Sequence, residues 1–281
     1  MGLREYVQCR KKAVTHLEKF DFKKLLDLEK QKRGFKPDRL AFIGMADTAG
    51  FWWCGAKSLF QNRGMELEFF KAYLSDRLTY SLYLNHVKRP PLEEKQILEV
   101  GDDIKLTHIE QLLKELGKEL VKRRMLEMKI YELLKKEPSE PRGLGVYLEV
   151  AKAEKYPSIR WNFGWKHYQV IGIPDGITDE LVYEFKTTAK KFLAGYMKPV
   201  ALAQADLYGY FFKRKKKRVQ IYIRETGEIL TWENEVDLEN AEETLKRLER
   251  VDLGELPKPP VYWKCNNCEF RKQCPTCGRQ P

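Results

Sequence analysis

The chain has 281 residues, 33% of them charged, and a formal net charge of +11. That length accommodates one large domain or two small ones, and the lysine and arginine excess favours a polyanionic partner, since each neutralised phosphate releases condensed counterions. The sequence has no run of about 18 apolar residues, and Met1-Gly2-Leu3-Arg4-Glu5 lacks the apolar stretch of a secretory leader. The expectation is therefore a soluble, cytoplasmic protein without a membrane segment, in which six cysteines suit metal binding better than disulfides.

Residues 4–33 are charged and helix-prone, with Val7, Val14, Leu17, Phe20, Leu25 and Leu28 as the apolar stripe of one or two helices. Gly34-Phe35-Lys36-Pro37 interrupts them. Phe51-Trp52-Trp53-Cys54-Gly55 then stands at the entrance to a helical run over 65–84, which Arg89-Pro90-Pro91 breaks. From Gly101 to about Lys136 the chain reads as helix, with His108 at its start and Ile109, Leu112, Leu113, Leu116 and Leu120 on a buried face. Pro138 and Pro141 end it, and 145–150 reads as the strand that opens a sheet. After an aromatic segment with Trp161, Phe163 and Trp165 come a strand over 171–177 ending in a turn and a second strand over 181–186. Residues 199–212 read as helix, 213–218 as a wholly basic run, 219–223 as strand turning at Thr226-Gly227, and 240–253 as a last helix. Pro257-Lys258-Pro259-Pro260 leads into a cysteine-rich tail.

The hairpin formed by 171–177 and 181–186 carries Asp175, Glu184 and Lys186. Period-2 alternation puts Glu184 and Lys186 on one face of the second strand and Tyr183 and Phe185 on the other. Hard cations such as Mg²⁺ and Mn²⁺ take oxygen ligands, so Asp175, Glu184 and the backbone carbonyl of Phe185 are candidate ligands beside a scissile phosphate. Such an ion acidifies a bound water, and Lys186 is placed to orient that water or offset developing negative charge. The chemistry indicated is metal-dependent cutting of nucleic acid, and the competing reading is a surface hairpin with an ordinary Glu/Lys face.

Cys265-x2-Cys268-x5-Cys274 lies in the tail, with Cys277 beyond it and Cys54 far upstream. Cys265, Cys268, Cys274 and Cys277 have the spacing of a self-contained zinc ribbon, while four thiolates are equally the ligand set of an iron-sulfur cluster. Cys9 reads as an ordinary thiol. Gln204 and Tyr208 stand at i, i+4 on one face of the 199–212 helix, and the basic run after it is placed to meet a nucleic-acid strand unless it is simply solvated.

Taken together, Asp175, Glu184-Phe185-Lys186, Gln204-x3-Tyr208, His108 and the split cysteines resemble the PD-(D/E)XK nuclease superfamily. The likeness is to its RecB-like iron-sulfur branch, and within that to the CRISPR-associated Cas-four exonucleases. The resemblance implies an α/β fold: a central mixed β-sheet flanked by helices, forming a restriction-endonuclease-like core, plus a cysteine-ligated cluster domain joining the two ends. Residues 1–100 would be a helical region contributing Cys54, 101–253 the nuclease core, and 254–281 the cluster-binding tail. The resemblance further implies that His108, with His86 as competitor, joins Asp175, Glu184 and Phe185 in holding Mg or Mn. Lys186, Gln204 and Tyr208 would be catalytic. Cys54, Cys265, Cys268 and Cys274 would hold a cluster, usually [4Fe-4S], with Cys277 outside the family pattern. The implied activity is exonucleolytic cutting of single-stranded DNA, in the processing of prespacers with the Cas integrase. The short gap between Asp175 and Glu184 and the long region before Cys54 depart from the family's minimal pattern. A virus-encoded, plasmid-encoded or repair nuclease of the same branch, and a non-catalytic DNA-binding scaffold with structural zinc, are the alternatives.

Overall fold

The computed structural model describes residues 2–36, 38–85, 92–134, 141–266 and 268–277. In chain order the elements are α1 (Leu3–Leu17), α2 (Phe22–Lys32), β1 (Phe42–Gly44), α3 (Met45–Ala49), a 3-10 turn (Gly50–Trp52), α4 (Gly55–Tyr83), α5 (Glu94–Glu99), α6 (Leu106–Leu134) and α7 (Pro141–Lys152). They continue as β2 (Trp161–Trp165), β3 (Tyr168–Gly172), β4 (Gly176–Ile177), β5 (Leu181–Thr188), α8 (Lys191–Phe212), β6 (Lys216–Ile223), β7 (Ile229–Glu235), α9 (Leu238–Asp252) and α10 (Tyr262–Asn266). The protein is mixed α/β, with two mixed sheets flanked by helices. Among the described residues no helix is long and apolar enough to cross a membrane.

The contacts define two units that interleave along the chain. The first comprises Met1–Gly44, Gln61–Leu116 and Ile159–Gly172. Its sheet has the order β1-β3-β2, with β1 parallel and β2 antiparallel to β3. Leu25, Phe42, Phe70, Leu74, Leu78 and Ile97 form its core, and the Phe42 and Phe70 rings meet edge to face at 5.0 Å. Trp161 and Trp165 are buried on β2, so these indoles serve packing. His167 lies ring to ring with Phe35 and Tyr168.

The second unit comprises Met45–Phe60, Gly117–Ser158 and Ile173–Pro281. Its sheet runs β4-β5-β6-β7, with β5 and β6 parallel and the outer pairs antiparallel. The parallel pair is joined through α8, the crossover that parallel neighbours require. Val182, Val219, Ile221 and Ile223 are fully buried, and the small residues Ala201, Ala203 and Ala205 of α8 are buried with them. Gly209 lets the chain pass close: a Cβ there would lie 2.3 Å from the Val236 side chain.

Several elements differ from the sequence expectation. Residues 145–150 lie in α7, not in a strand; Pro141 at the first helical position and the spacing of Leu144, Tyr147, Leu148 and Ala151 suit a helix. The expected strand over 171–177 is two strands in two sheets, β3 and β4. Helix α8 begins at Lys191, so Pro199 sits inside it and does not open it. The basic run is divided: Lys213 caps α8 in the left-handed conformation at φ 57°, and Lys216 already belongs to β6. Arg214 is buried and donates to the carbonyls of Thr178 (2.6 Å) and Phe212 (2.5 Å), while buried Lys217 pairs with Asp206. Part of the run therefore holds the fold, because each of these cations has carbonyls or a carboxylate to meet inside the protein. His86, Pro90, Pro91 and Pro138 lie outside the described residues.

Candidate active site

Strand β4 is short, and Asp175 immediately precedes it. Two bonds hold this segment: Ser158 Oγ donates to the Pro174 carbonyl (2.5 Å) and the Ile177 N–H donates to the Pro157 carbonyl (2.9 Å). Gly176 is needed because a Cβ there would lie 2.5 Å from the Tyr156 side chain. Where the β4–β5 pairing stops, Asp175 Oδ2 accepts the Phe185 N–H at 2.8 Å, so the carboxylate continues the ladder and is fixed beside β5. Thr178 closes the turn between the strands by accepting the Leu181 N–H at Oγ1 (3.0 Å).

On β5 the alternation is as expected. Tyr183 and Phe185 pack with Ala153 on one side, and Tyr183 Oη donates to Gln220 Oε1 at 2.6 Å. Glu184 and Lys186 point the other way: Glu184 is fully buried and its Oε1 lies 2.5 Å from Lys186 Nζ, whose side chain is 27% exposed. From α8, Gln204 Nε2 donates to Glu184 Oε2 and to Tyr208 Oη, both at 3.0 Å. The i, i+4 spacing of Gln204 and Tyr208 thus becomes one hydrogen-bonded row ending on the carboxylate.

Burial, followed by repulsion from Asp175, pushes the Glu184 carboxyl up to about 8, against the smaller opposing pull of Lys186. For Lys186 burial acts downward, but Glu184, Asp175 and Glu149 outweigh it and hold the ammonium above its ordinary value. Burial is also the first cause that raises Tyr208, with Glu184 and Asp175 adding to it, so its phenol stays protonated.

Two acidic residues missed in the sequence act on this site. Glu149 of α7 bears on both Glu184 and Lys186, and Asp47 of α3 bears on Tyr208. Glu149 was hidden because its segment read as a strand; the helical spacing around it was the available signal. Asp47 had no motif to mark it. His108 belongs to the first unit, whereas Asp175, Glu184, Phe185, Lys186, Gln204 and Tyr208 belong to the second. Its Nδ1 accepts the Lys105 N–H at 3.0 Å, the reach-back of a third-position side chain at the start of α6. Among the described residues no three His, Cys, Asp or Glu side chains stand close enough together to hold a metal ion.

Cys54 is buried at the entrance to α4, in the same unit as the tail cysteines. The first turns of α4 and the residue ahead of Cys54 are tied to that tail: Phe60 stacks on Phe270 at 5.4 Å, Lys57 pairs with Glu269 at 3.5 Å, and Lys264 Nζ donates to the Trp53 carbonyl at 3.2 Å. Burial raises the Cys54 thiol, and the neighbouring Cys274 and Cys268 raise it further. Cys277 Sγ lies 2.7 Å from Cys265 Sγ, and Cys274 Sγ lies 3.1 Å from Thr276 Oγ1. All six cysteines are free thiols. Cys9 is separate, on α1 of the first unit.

No family model and no curated protein matches the chain. The chain is similar to a solved structure described as the crystal structure of SSO0001, at 16% identity over 90% of this chain and 96% of that one, with a TM-score of 0.39.

Proposed function

We propose that the chain is a divalent-metal-dependent nuclease of RecB-like type, with a restriction-endonuclease-like core, that hydrolyses phosphodiester bonds in DNA. The observation that carries this reading is the fully buried Glu184, set beside Asp175, paired with Lys186 at 2.5 Å and bonded to Gln204 at 3.0 Å. Burying the Glu184 carboxyl completely, beside the half-buried Asp175 that repels it, costs stability that an ordinary hairpin has no reason to bear. Asp175 and Glu184 would be the residues to hold a divalent cation, which would offset their repulsion, and an all-oxygen pair suits Mg or Mn. Mg²⁺ typically takes one or two carboxylates and completes its shell with water and substrate phosphate, so a third protein ligand is not required.

When bound, such an ion supplies Lewis-acid charge and an acidified water. Asp175, fixed beside β5 by the Phe185 N–H, would be one of the residues holding the ion. Lys186, kept charged by its carboxylate neighbours, acts as a cation toward the phosphate and is unsuited to be a general base. Gln204 fixes the Glu184 carboxylate and orients the Tyr208 hydroxyl, which remains a donor. The motif resemblance extends the proposal to single-strand exonuclease activity, prespacer processing with the Cas integrase, and a cytoplasmic setting.

For the tail, the motif resemblance extends the proposal to an iron-sulfur cluster on Cys54, Cys265, Cys268 and Cys274; among the described residues these thiols are not gathered into a metal-binding group, and the support is that Cys274 and Cys268 both act on the Cys54 thiol. The Cys277–Cys265 contact favours, as second reading, a zinc ribbon that leaves Cys54 out. The nuclease proposal is tested by incubating end-labelled single-stranded DNA with purified protein in Mg²⁺, Mn²⁺ or EDTA. Cutting in metal that is abolished by EDTA and by Asp175→Ala is expected, and an Asp175→Ala protein that cuts like the wild type rejects the site.

A further inference from the structure

Apart from the carboxylate site, the second unit has a cavity of about 360 Å³ walled by Phe51, Trp52 and Trp53. Its remaining lining includes Arg247, Arg250 and Lys258 against a single carboxylate, Glu255. Both indoles of the wall are held by neighbours. Trp52 Nε1 donates to Thr244 Oγ1 at 2.8 Å, and the Arg247 guanidinium lies 4.6 Å from the Trp52 ring centroid. Trp53 meets Trp263 edge to face at 5.6 Å, with the Lys264 ammonium 4.1 Å from its ring centroid. Gly55 allows the closure: a Cβ there would come within 2.8 Å of both the Phe51 ring and Pro257. Arg247 is held by Glu243 at 2.7 Å and Arg250 more loosely by Glu243 (3.4 Å) and Glu255 (3.6 Å), while Lys258 is exposed.

Fixed aromatic faces beside loosely held cations are the chemistry that takes an unpaired base together with its phosphate. The volume lies in the range of small-ligand pockets, of roughly 300–1,000 Å³. We propose that this cavity receives one nucleotide of a single-stranded polynucleotide, its base against the Phe51/Trp52/Trp53 wall and its phosphate toward Arg250 and Lys258. The proposal rests on the nucleic-acid reading above and adds to it a gripping site made of residues outside the cutting machinery.

The test measures binding in EDTA, by fluorescence anisotropy, of a labelled oligothymidylate and of an abasic oligomer of the same length, about 15 nucleotides, which spans one such site. The wild-type protein should bind the oligothymidylate about five- to tenfold more tightly, in keeping with stacking of one base. Trp52→Leu should erase that preference, and Arg250→Glu with Lys258→Glu should weaken both probes at least about tenfold. Thermal melts check that each variant is folded, and Lys258→Glu alone alters only an exposed side chain. Equal wild-type binding of the two probes, or wild-type affinity in the charge-reversed protein, overturns the proposal. A protein that shows the preference but does not cut in Mg²⁺ or Mn²⁺ refutes the nuclease reading and leaves the pocket standing. A protein that cuts while its pocket variants bind normally refutes the pocket alone.

Discussion

Glu184 and Lys186, two residues apart on β5, meet at 2.5 Å, and only the lysine reaches solvent. The pair is therefore asymmetric: the carboxylate depends on the protein for its solvation, while the ammonium can turn outward to a phosphate. Lys186→Ala removes a charge that would stabilise the transition state and also leaves Glu184 without its counter-ion. Loss of such a group typically costs about 10²- to 10³-fold in rate. Single-turnover cutting of labelled DNA should fall by that factor, and a variant within twofold of wild type would remove Lys186 from the mechanism.

The same pair fixes a pH dependence of the metal-free protein. Folding raises the Glu184 carboxyl from 4.5 to about 8. Below 4.5 both states keep the proton; between 4.5 and 8 the unfolded chain gives it up while the folded one retains it, so stability falls as pH rises. Above about 8 the loss is complete and the effect levels off. Urea unfolding in EDTA at pH 5, 6, 7 and 8 should show wild-type stability declining relative to Glu184→Gln across that window. Adding Mg²⁺, which favours the ionised form, should reverse the decline at pH 8. Parallel curves for the two proteins would show that Glu184 is not held protonated.

Gln204 links two elements through a single amide, bonding Glu184 on β5 and Tyr208 on its own helix. Gln204→Leu keeps the volume but strands two buried polar atoms, each costing about 1–3 kcal/mol when left unsatisfied. The expected result is a lower urea midpoint together with slower cutting. Gln204→Glu should slow cutting more, because it sets a third carboxylate against Asp175 and Glu184. If the two variants cut equally well, the amide is only packing.

The face pattern of β5 and the i, i+4 row of α8 were legible because both follow from backbone period and use residues whose chemistry is distinctive. What escaped was set by distant partners. Residues 145–150 have the apolar content of a strand, and only the helical spacing through Ala151 separates the two readings. The basic run looked uniform, yet Arg214 and Lys217 are internal because Thr178, Phe212 and Asp206 supply acceptors that no local pattern reveals.

Asp206 accepts from Lys217, from the Asp237 N–H at 2.7 Å and from Asn240 Nδ2 at 2.8 Å, all within the second unit. Burial pushes its carboxyl upward, and these donors oppose the shift. Asp206→Ala leaves the buried Lys217 ammonium uncompensated, a loss of about 3–5 kcal/mol for a broken buried pair. Asp206→Ala with Lys217→Met should recover much of it, because no charge is then left inside. Urea midpoints of the three proteins decide the point, and a double variant no better than the single one would assign the loss to the Asp237 and Asn240 contacts.

The cysteines separate two cofactors by a pair of single substitutions. Cys274 and Cys268 both act on the Cys54 thiol, whereas Cys277 touches Cys265. If four thiolates that include Cys54 hold an iron-sulfur cluster, anaerobically purified protein should be brown, with a broad band near about 400 nm. Cys54→Ser should then lose iron and colour, while Cys277→Ser keeps both. If the tail alone binds zinc, the protein is colourless, Cys277→Ser releases the metal and Cys54→Ser retains it. Metal analysis of the two variants distinguishes these outcomes without any measurement of activity, so the tail can be assigned even if the hairpin proves inert.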